Sequence, residues 1–387
     1  MKFQQMKKVV LFILVFTLFF CIRINDKREE IIRINPEFFT EKEIFLSEIT
    51  ESISYIPLDN RIQVSTLYDV KIDEKYLYCA APQGIFLYSR TGNYIRSIGK
   101  KGRGPGEYVH GNHITVNEDN HDIIVLDIKR LLIYSLTGKL KRTISLDSLG
   151  VRFGDVEYNM GRIYLAKSFV LTTEQQWVSL DTLGRVLTTK MNPLEPFNTT
   201  RGFKTRMYKF NKKIHYWNHY NDTIYEIGPA EIKSKYLFAD CSFRIPKKII
   251  KDLSPFFTPM RIMESNNYLF IDYAMFGSLN LAIYDKLKNK YIIVSSTKIS
   301  DKKSFPFGFQ NDYDAGIPFR PMEYFSLEQE EFLLSWISSF KLKTMVDNIA
   351  FKNSAPKYPE KKKELEKLAN SLDENDNPVL MLVKLIE

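Results

Sequence analysis

A hairpin pattern recurs along this chain at a fixed interval. In GIFLYSRTGNYIRSI (84–98) and RLLIYSLTGKLKRTI (130–144), Tyr88 aligns with Tyr134 and Gly92 with Gly138, both pairs 46 residues apart. QWVSLDTLGRVLTT (176–189) places Leu180 and Gly184 at the same two points, again 46 residues on. The glycine supplies the positive φ that a tight strand-to-strand turn needs, and the flanking apolar residues alternate as in a strand with one buried face. Weaker copies follow in NDTIYEIGPAEIKSKYLF (221–238) and LNLAIYDKLKNKYIIV (279–294), where Tyr225 and Tyr284 take the tyrosine place. The wider gap between these two points to an insertion, FRIPKKIIKDLSPFFTP, with a short helical pattern.

Each hairpin is preceded by another strand pair, such as LYDVKIDEKYLYCA or NHITVNEDNHDIIVLD. Units of about 40–50 residues with four short antiparallel strands describe propeller blades. Five units are visible, and RPMEYFSLEQEEFLLSWI (320–337) with the chain end implies a sixth. The expected fold is therefore all-β, a six-bladed β-propeller of four-stranded blades spanning residues 44–387. Its tail reads as a helix over 358–372 and a closing strand over 379–387, for which ISYIPLD (53–59) is a candidate partner. A docking peptide for another protein is the alternative reading of the tail. The aromatic content, with 28 Phe and 22 Tyr against 3 Trp, suits strands.

MKFQQMKK and the apolar run from Val9 to Phe20 read as an export signal over residues 1–20, followed by a tether over 21–43. The run is too short to span a bilayer as a helix. Cys21 directly follows it, as a lipid-modified cysteine would, although Phe20 is large where lipoprotein processing prefers a small residue. An ordinary cleaved signal and an uncleaved anchor remain the alternatives. The expected location is the cell envelope, with the membrane touched only through the N-terminal anchor, and the expected state is a monomer. Cys79 and Cys241 sit in apolar strand-like surroundings that suit buried thiols, with a disulfide left open. The formal charge of +9 falls to about +6 without the three signal lysines, and no basic stripe interleaved with aromatics marks a nucleic-acid binder.

IGKKGRGPGEY (98–108) is rich in glycine but lacks the Lys-Ser or Lys-Thr of a phosphate-binding loop, and it leads into a strand rather than a helix. It reads as the linker from the outer strand of one blade to the inner strand of the next, with Lys100, Lys101 and Arg103 as a basic lip. This stretch and the repeat after it resemble an NHL repeat. LSEITESISYIPLDN (46–60), YNDTIYEI (220–227) and DENDNPVLMLVKL (373–385) are similar to segments of the six-bladed propeller lipoproteins of Bacteroidetes-type bacteria. The resemblance implies a propeller fold and an exported location, and adds little chemistry.

No G-x-S-x-G elbow or H-E-x-x-H is present, and no catalytic residue is assigned. His110 and His113, and His215 and His219, have pair spacings that occur in metal sites. His215 and His219 would lie about 13 Å apart on a strand, too far for one ion. No metal or other cofactor is expected. The repeat register instead places Asp69, His113, Asp155, Arg206, Arg261 and Glu323 at the start of the six innermost strands. Polar groups converging at a channel mouth are the usual form of a ligand site. Solvated strand starts are the plain alternative. The leading expectation is a binding module for a small anionic or sugar-like ligand or a protein partner. The other reading is a Ca²⁺-dependent propeller hydrolase or lactonase, against which Arg206 and Arg261 stand.

Overall fold

The 46-residue interval corresponds to one blade. In the computed structural model, six sheets each hold four antiparallel strands of the repeat. The structure describes residues 31–150, 152–167, 175–191, 205–218, 223–228, 231–238, 242–246, 252–299 and 307–387. Blade one runs through Asp69–Ile72, Tyr76–Ala81, Gly84–Ser89 and Tyr94–Ile98, and blade two through His113–Asn117, Asp122–Asp127, Arg130–Tyr134 and Leu140–Ser145. The innermost strands of blades three, four and five are Phe153–Asn159, Thr205–Phe210 and Thr258–Glu264. Residues 33–387 form one compact unit.

Tyr88, Tyr134 and Leu180 lie on the third strands of their blades and are buried. At each of them, and at Tyr225, the ladder to the fourth strand slips by one residue. A bulge beside a turn glycine in the left-handed region lets the outer hairpin twist tightly. Gly92, Gly138 and Gly184 have φ of +85°, +79° and +90°. They also meet the blade before their own. A Cβ on Gly138 would lie 2.6 Å from the Ser97 carbonyl oxygen of blade one, and one on Gly184 2.5 Å from Ile144 Cγ2 of blade two. The repeated glycine therefore serves both the turn and the blade-to-blade seam.

The ring closes in blade six, whose strands are Glu323–Leu327, Glu330–Ile337, Val379–Leu385 and Thr50–Pro57, from inside outwards. Val379–Leu385 pairs with the early strand, Leu380 opposite Ile56 and Met381 opposite Tyr55. The expected tail helix is present at Pro359–Ser371. Two shorter helices, Ser339–Asp347 and Ile349–Lys352, precede it and were not read from the sequence. Their buried Leu342, Val346 and Phe351 join Leu365 and Ala369 of the tail helix over the core of blade six. These helices replace the connection between the second and third strands of that blade.

Residues 36–49, in part expected as tether, lie against blade five and the loop before blade six. Thr40–Glu41 adds a parallel strand to Lys290–Lys298. The Phe39 ring stacks on Tyr291 at 5.5 Å, and Ser47 N–H donates to Asp312 Oδ1 at 3.0 Å. The export segment, Cys21, Cys241, His219 and the helical pattern at 247–251 lie outside the described residues. Cys79 is a free, buried thiol.

Candidate functional site

The glycine-rich stretch links the outer strand of blade one to the inner strand of blade two. Tyr108 N–H donates to the Lys100 carbonyl (3.0 Å), the Tyr108 hydroxyl accepts from Ile85 N–H (2.8 Å), and Tyr134 donates to the Gly106 carbonyl (2.8 Å). Of its exposed basic residues, Lys101 donates to the Pro82 carbonyl (2.6 Å), and Lys100 stands 3.4 Å from Glu107.

At the mouth end of the ring, Asp69, His113 and Glu323 are the first residues of their inner strands; Asp155 and Arg206 lie within the first three. Arg261 is the fourth residue of its strand, just past a register shift between Pro259 and Arg261. The inner edges of these strands have no neighbouring strand, so their N–H groups need other acceptors. Asp69 Oδ2 accepts from Ile114 N–H of the next blade (3.1 Å), and Asp155 Oδ2 from Met207 N–H (2.8 Å). Each aspartate thus stitches two blades with one oxygen; Asp155 Oδ1 accepts from Val156 N–H (3.1 Å), and Asp69 Oδ1 is buried without a hydrogen-bond donor among the described residues. His113 Nδ1 and Arg206 Nη1 both lie 3.9 Å from Asp155 Oδ1, and 3.5 Å from one another.

Two residues missed in the sequence complete the carboxylate side. Lys71 and Glu157 stand two places after Asp69 and Asp155, on the same strand faces. Lys71 Nζ lies 3.1 Å from Glu157 Oε1, 3.6 Å from Asp69 Oδ1 and 3.7 Å from Glu323 Oε2, so side chains of blades one, three and six meet at one ammonium. Burial opposes the Lys71 charge, but Asp69, then Glu157, Glu323 and Asp155 outweigh it and hold its pKa well above the ordinary lysine range. Burial raises the Glu157 carboxyl against the pull of Lys71. It raises Glu323 to about 7, with Asp69 and Glu157 adding to the rise. Burial also lowers His113, favouring the neutral ring. Among the described residues, no three of His, Cys, Asp and Glu are placed to hold a metal ion.

The other side of the mouth carries guanidiniums. Arg261 Nη1 donates to Asp272 Oδ2 (3.2 Å), and Arg320 donates to the same oxygen through Nε (3.0 Å) and Nη2 (2.7 Å). Arg320 also lies over the Phe307 ring at 4.4 Å. Burial lowers the Arg261 pKa, and Arg320 and Arg206 are close enough to lower it further. Arg261 and Arg320 therefore share Asp272 as their counterion, with the Arg206 guanidinium near enough to act on Arg261. Arg320 and Asp272, on a loop and a second strand, had no signal in the inner-strand register.

At the opposite end, Phe210 of blade four and Tyr324 of blade six meet across the ring at 6.0 Å. His215 belongs to this end. It stacks on Tyr208 at 4.7 Å and lies 3.6 Å from Glu226 and 3.8 Å from Glu264, both carboxylates also engaged by lysines. Buried Glu264 accepts from Lys286 (2.7 Å), Tyr236 (2.6 Å) and Tyr208 (3.0 Å), which satisfies both its oxygens, whereas His215 Nδ1 is buried without a hydrogen-bond partner among the described residues.

The sequence signature of the family described as Domain of unknown function (DUF4934) matches residues 29–384. No curated protein matches the chain. Among solved structures, the chain is similar to a protein of Bacteroides fragilis named as a candidate exported protein. That likeness has 17% identity and a TM-score of 0.66, over 92% of this chain and 100% of that one. A member of the duf4221 family from Bacteroides vulgatus gives 14% identity and a TM-score of 0.49, over 90% and 99% of the two chains.

Proposed function

The chain belongs to the family described as Domain of unknown function (DUF4934), and from that premise we propose that it is an exported propeller that binds a small anionic ligand at its channel mouth. The observation that carries this reading is Arg206 standing near Arg261, which with Arg320 already shares the single carboxylate of Asp272. The Arg206 side chain is 37% exposed, and its contacts to Asp155 and His113 at 3.9 and 3.5 Å are long. A guanidinium fork with spare donors at a partly desolvated mouth is suited to a carboxylate or phosphate. Titration calorimetry with succinate, citrate and inorganic phosphate tests the reading. Binding of at least one of these should weaken with rising salt and be lost in Arg206→Gln. Equal affinity of Arg206→Gln and the native chain would overturn it.

The alternative of a Ca²⁺-dependent hydrolase or lactonase is less well supported. Among the described residues, no three of His, Cys, Asp and Glu are placed to hold a metal ion, and Arg206 and Arg261 stand at the same mouth.

Export and lipid anchoring at Cys21 belong to the same proposal. They rest on the basic start, the apolar run and the cysteine after it, with the exported-protein name of the Bacteroides fragilis relative in support. The NHL-like character rests on the linker at 98–108 and the repeat after it. Palmitate-analogue labelling should mark the native chain and not Cys21→Ala. Equal labelling of both, or none of the native chain, would sink the anchor.

A further inference from the structure

The mouth has an acidic side and a basic side. Asp69, Glu157 and Glu323 stand around one ammonium, that of Lys71. Arg261 and Arg320 share Asp272, and Arg206 lies between the two sides, near Arg261 and 3.9 Å from Asp155. A bare anion drawn to the arginines would also feel the carboxylate excess opposite, because a partly buried mouth screens charge poorly. A ligand carrying one charge of each sign avoids that repulsion and can satisfy both sides.

A second observation points the same way. Asp69 is 7% exposed, and its Oδ1 is a buried atom with no hydrogen-bond donor. Its Oδ2 is taken by Ile114 N–H, whereas Oδ1 faces Lys71 Nζ from 3.6 Å, beyond hydrogen-bond range. Buried acceptors are ordinarily paired, and leaving one unpaired is unfavourable. A protonated amine has three donors, and Asp69 Oδ1 and the carboxylate of Glu323, whose side chain is 30% exposed, offer acceptors on the same side. Between the two sides, Arg206 makes no contact to an acidic oxygen closer than 3.9 Å among the described residues, and its fork remains open for the anionic end.

Resting on the anion-binding reading above, we infer that the ligand is a zwitterion, an amino acid or amino-acid-like molecule. Its carboxylate docks on the arginine side, and its amine docks beside Lys71 against Asp69 and Glu323. The amine gives Asp69 Oδ1 its missing donor. The carboxylate takes donors from Arg206 and offsets the repulsion between Arg206 and Arg261.

The test is calorimetry with the purified native chain and four ω-amino acids of increasing length: glycine, β-alanine, 4-aminobutanoate and 6-aminohexanoate. Butanoate and butylamine are the single-charge controls. The expected result is that at least one amino acid binds tenfold or more tighter than butanoate, with butylamine weaker still. Glu323→Gln and Asp69→Asn should each lower the ratio of amino-acid to butanoate affinity, and Arg206→Gln should weaken both. Two carboxylate-side variants guard against one failing to fold, as circular dichroism would reveal. If butanoate binds as tightly as every amino acid, the amine contributes nothing; the zwitterion is then refuted and anion binding stands. If neither the amino acids nor any carboxylate or phosphate binds, both readings fall together.

Discussion

Replacing Gly138 by alanine isolates what holds one blade against the next. Its φ is +79°, and a Cβ would meet the Ser97 carbonyl oxygen of blade one at 2.6 Å. Gly161 is a matched control: its φ is +77°, but a Cβ there has nothing within 4 Å. Both substitutions place alanine in the left-handed region at about 1–2 kcal/mol. Both recover about 0.4–1 kcal/mol through a less flexible unfolded chain. Gly161→Ala should therefore destabilise by about 0–1.6 kcal/mol. Gly138→Ala must also push Ser97 back by about 0.8 Å to reach ordinary contact, against a hydrogen bond from Gly99 N–H to the Gly138 carbonyl at 3.2 Å. Overpacking of that kind costs about 1–3 kcal/mol. Urea unfolding followed by tryptophan fluorescence and far-UV dichroism should show Gly138→Ala less stable than Gly161→Ala by that margin, provided the two probes coincide. A difference under about 0.5 kcal/mol would refute the argument and leave turn conformation as the whole reason for the repeated glycine.

Deleting residues 378–387 removes the strand between Glu330–Ile337 and Thr50–Pro57 and bares two edges; size-exclusion chromatography and thermal melting should show aggregation or a large fall in melting temperature, and an unchanged melt would mean the ring closes without it. Lys71→Met leaves Asp69, Glu157 and Glu323 without their shared cation. Stripping one partner from a buried ion pair costs about 3–5 kcal/mol, and less is expected here because the Lys71 side chain is 22% exposed. The deficit should be larger at pH 8 than at pH 5, where the carboxyls can protonate; a deficit independent of pH would show that lost packing, not charge, is responsible. Glu323, raised to about 7 in the folded protein, keeps its proton between the ordinary carboxyl range and about pH 7 while the unfolded chain releases it. Stability should therefore fall as pH rises through that window, and Glu323→Gln should flatten the fall in melting temperature; a slope identical to the native chain would exclude this carboxyl as the source.

The sequence by itself determined the blade. Tyr88, Tyr134 and Leu180, with the glycine four places after each, are local signals, because strand alternation and positive-φ turns are decided within a few residues. Equal spacing then gave the blade number, and an apolar segment at each end gave the closing sheet. Legibility faded where the period did, from the insertion after Phe243 to the helices at Ser339–Lys352, whose apolar residues face a core made by distant segments. Of the six proposed mouth residues, Asp69, His113 and Glu323 begin their inner strands, as the repeat register places them, whereas Arg206, Asp155 and Arg261 are second, third and fourth in theirs. Their partners were not legible. Lys71 and Glu157 lie 86 residues apart, Asp272 meets Arg320 from a different strand and loop, and Arg261 sits past a register shift that no periodicity marks. Which charge faces which is fixed only when six blades close on one axis: local chemistry shapes a blade, whereas ring closure sets the distances between side chains of different blades.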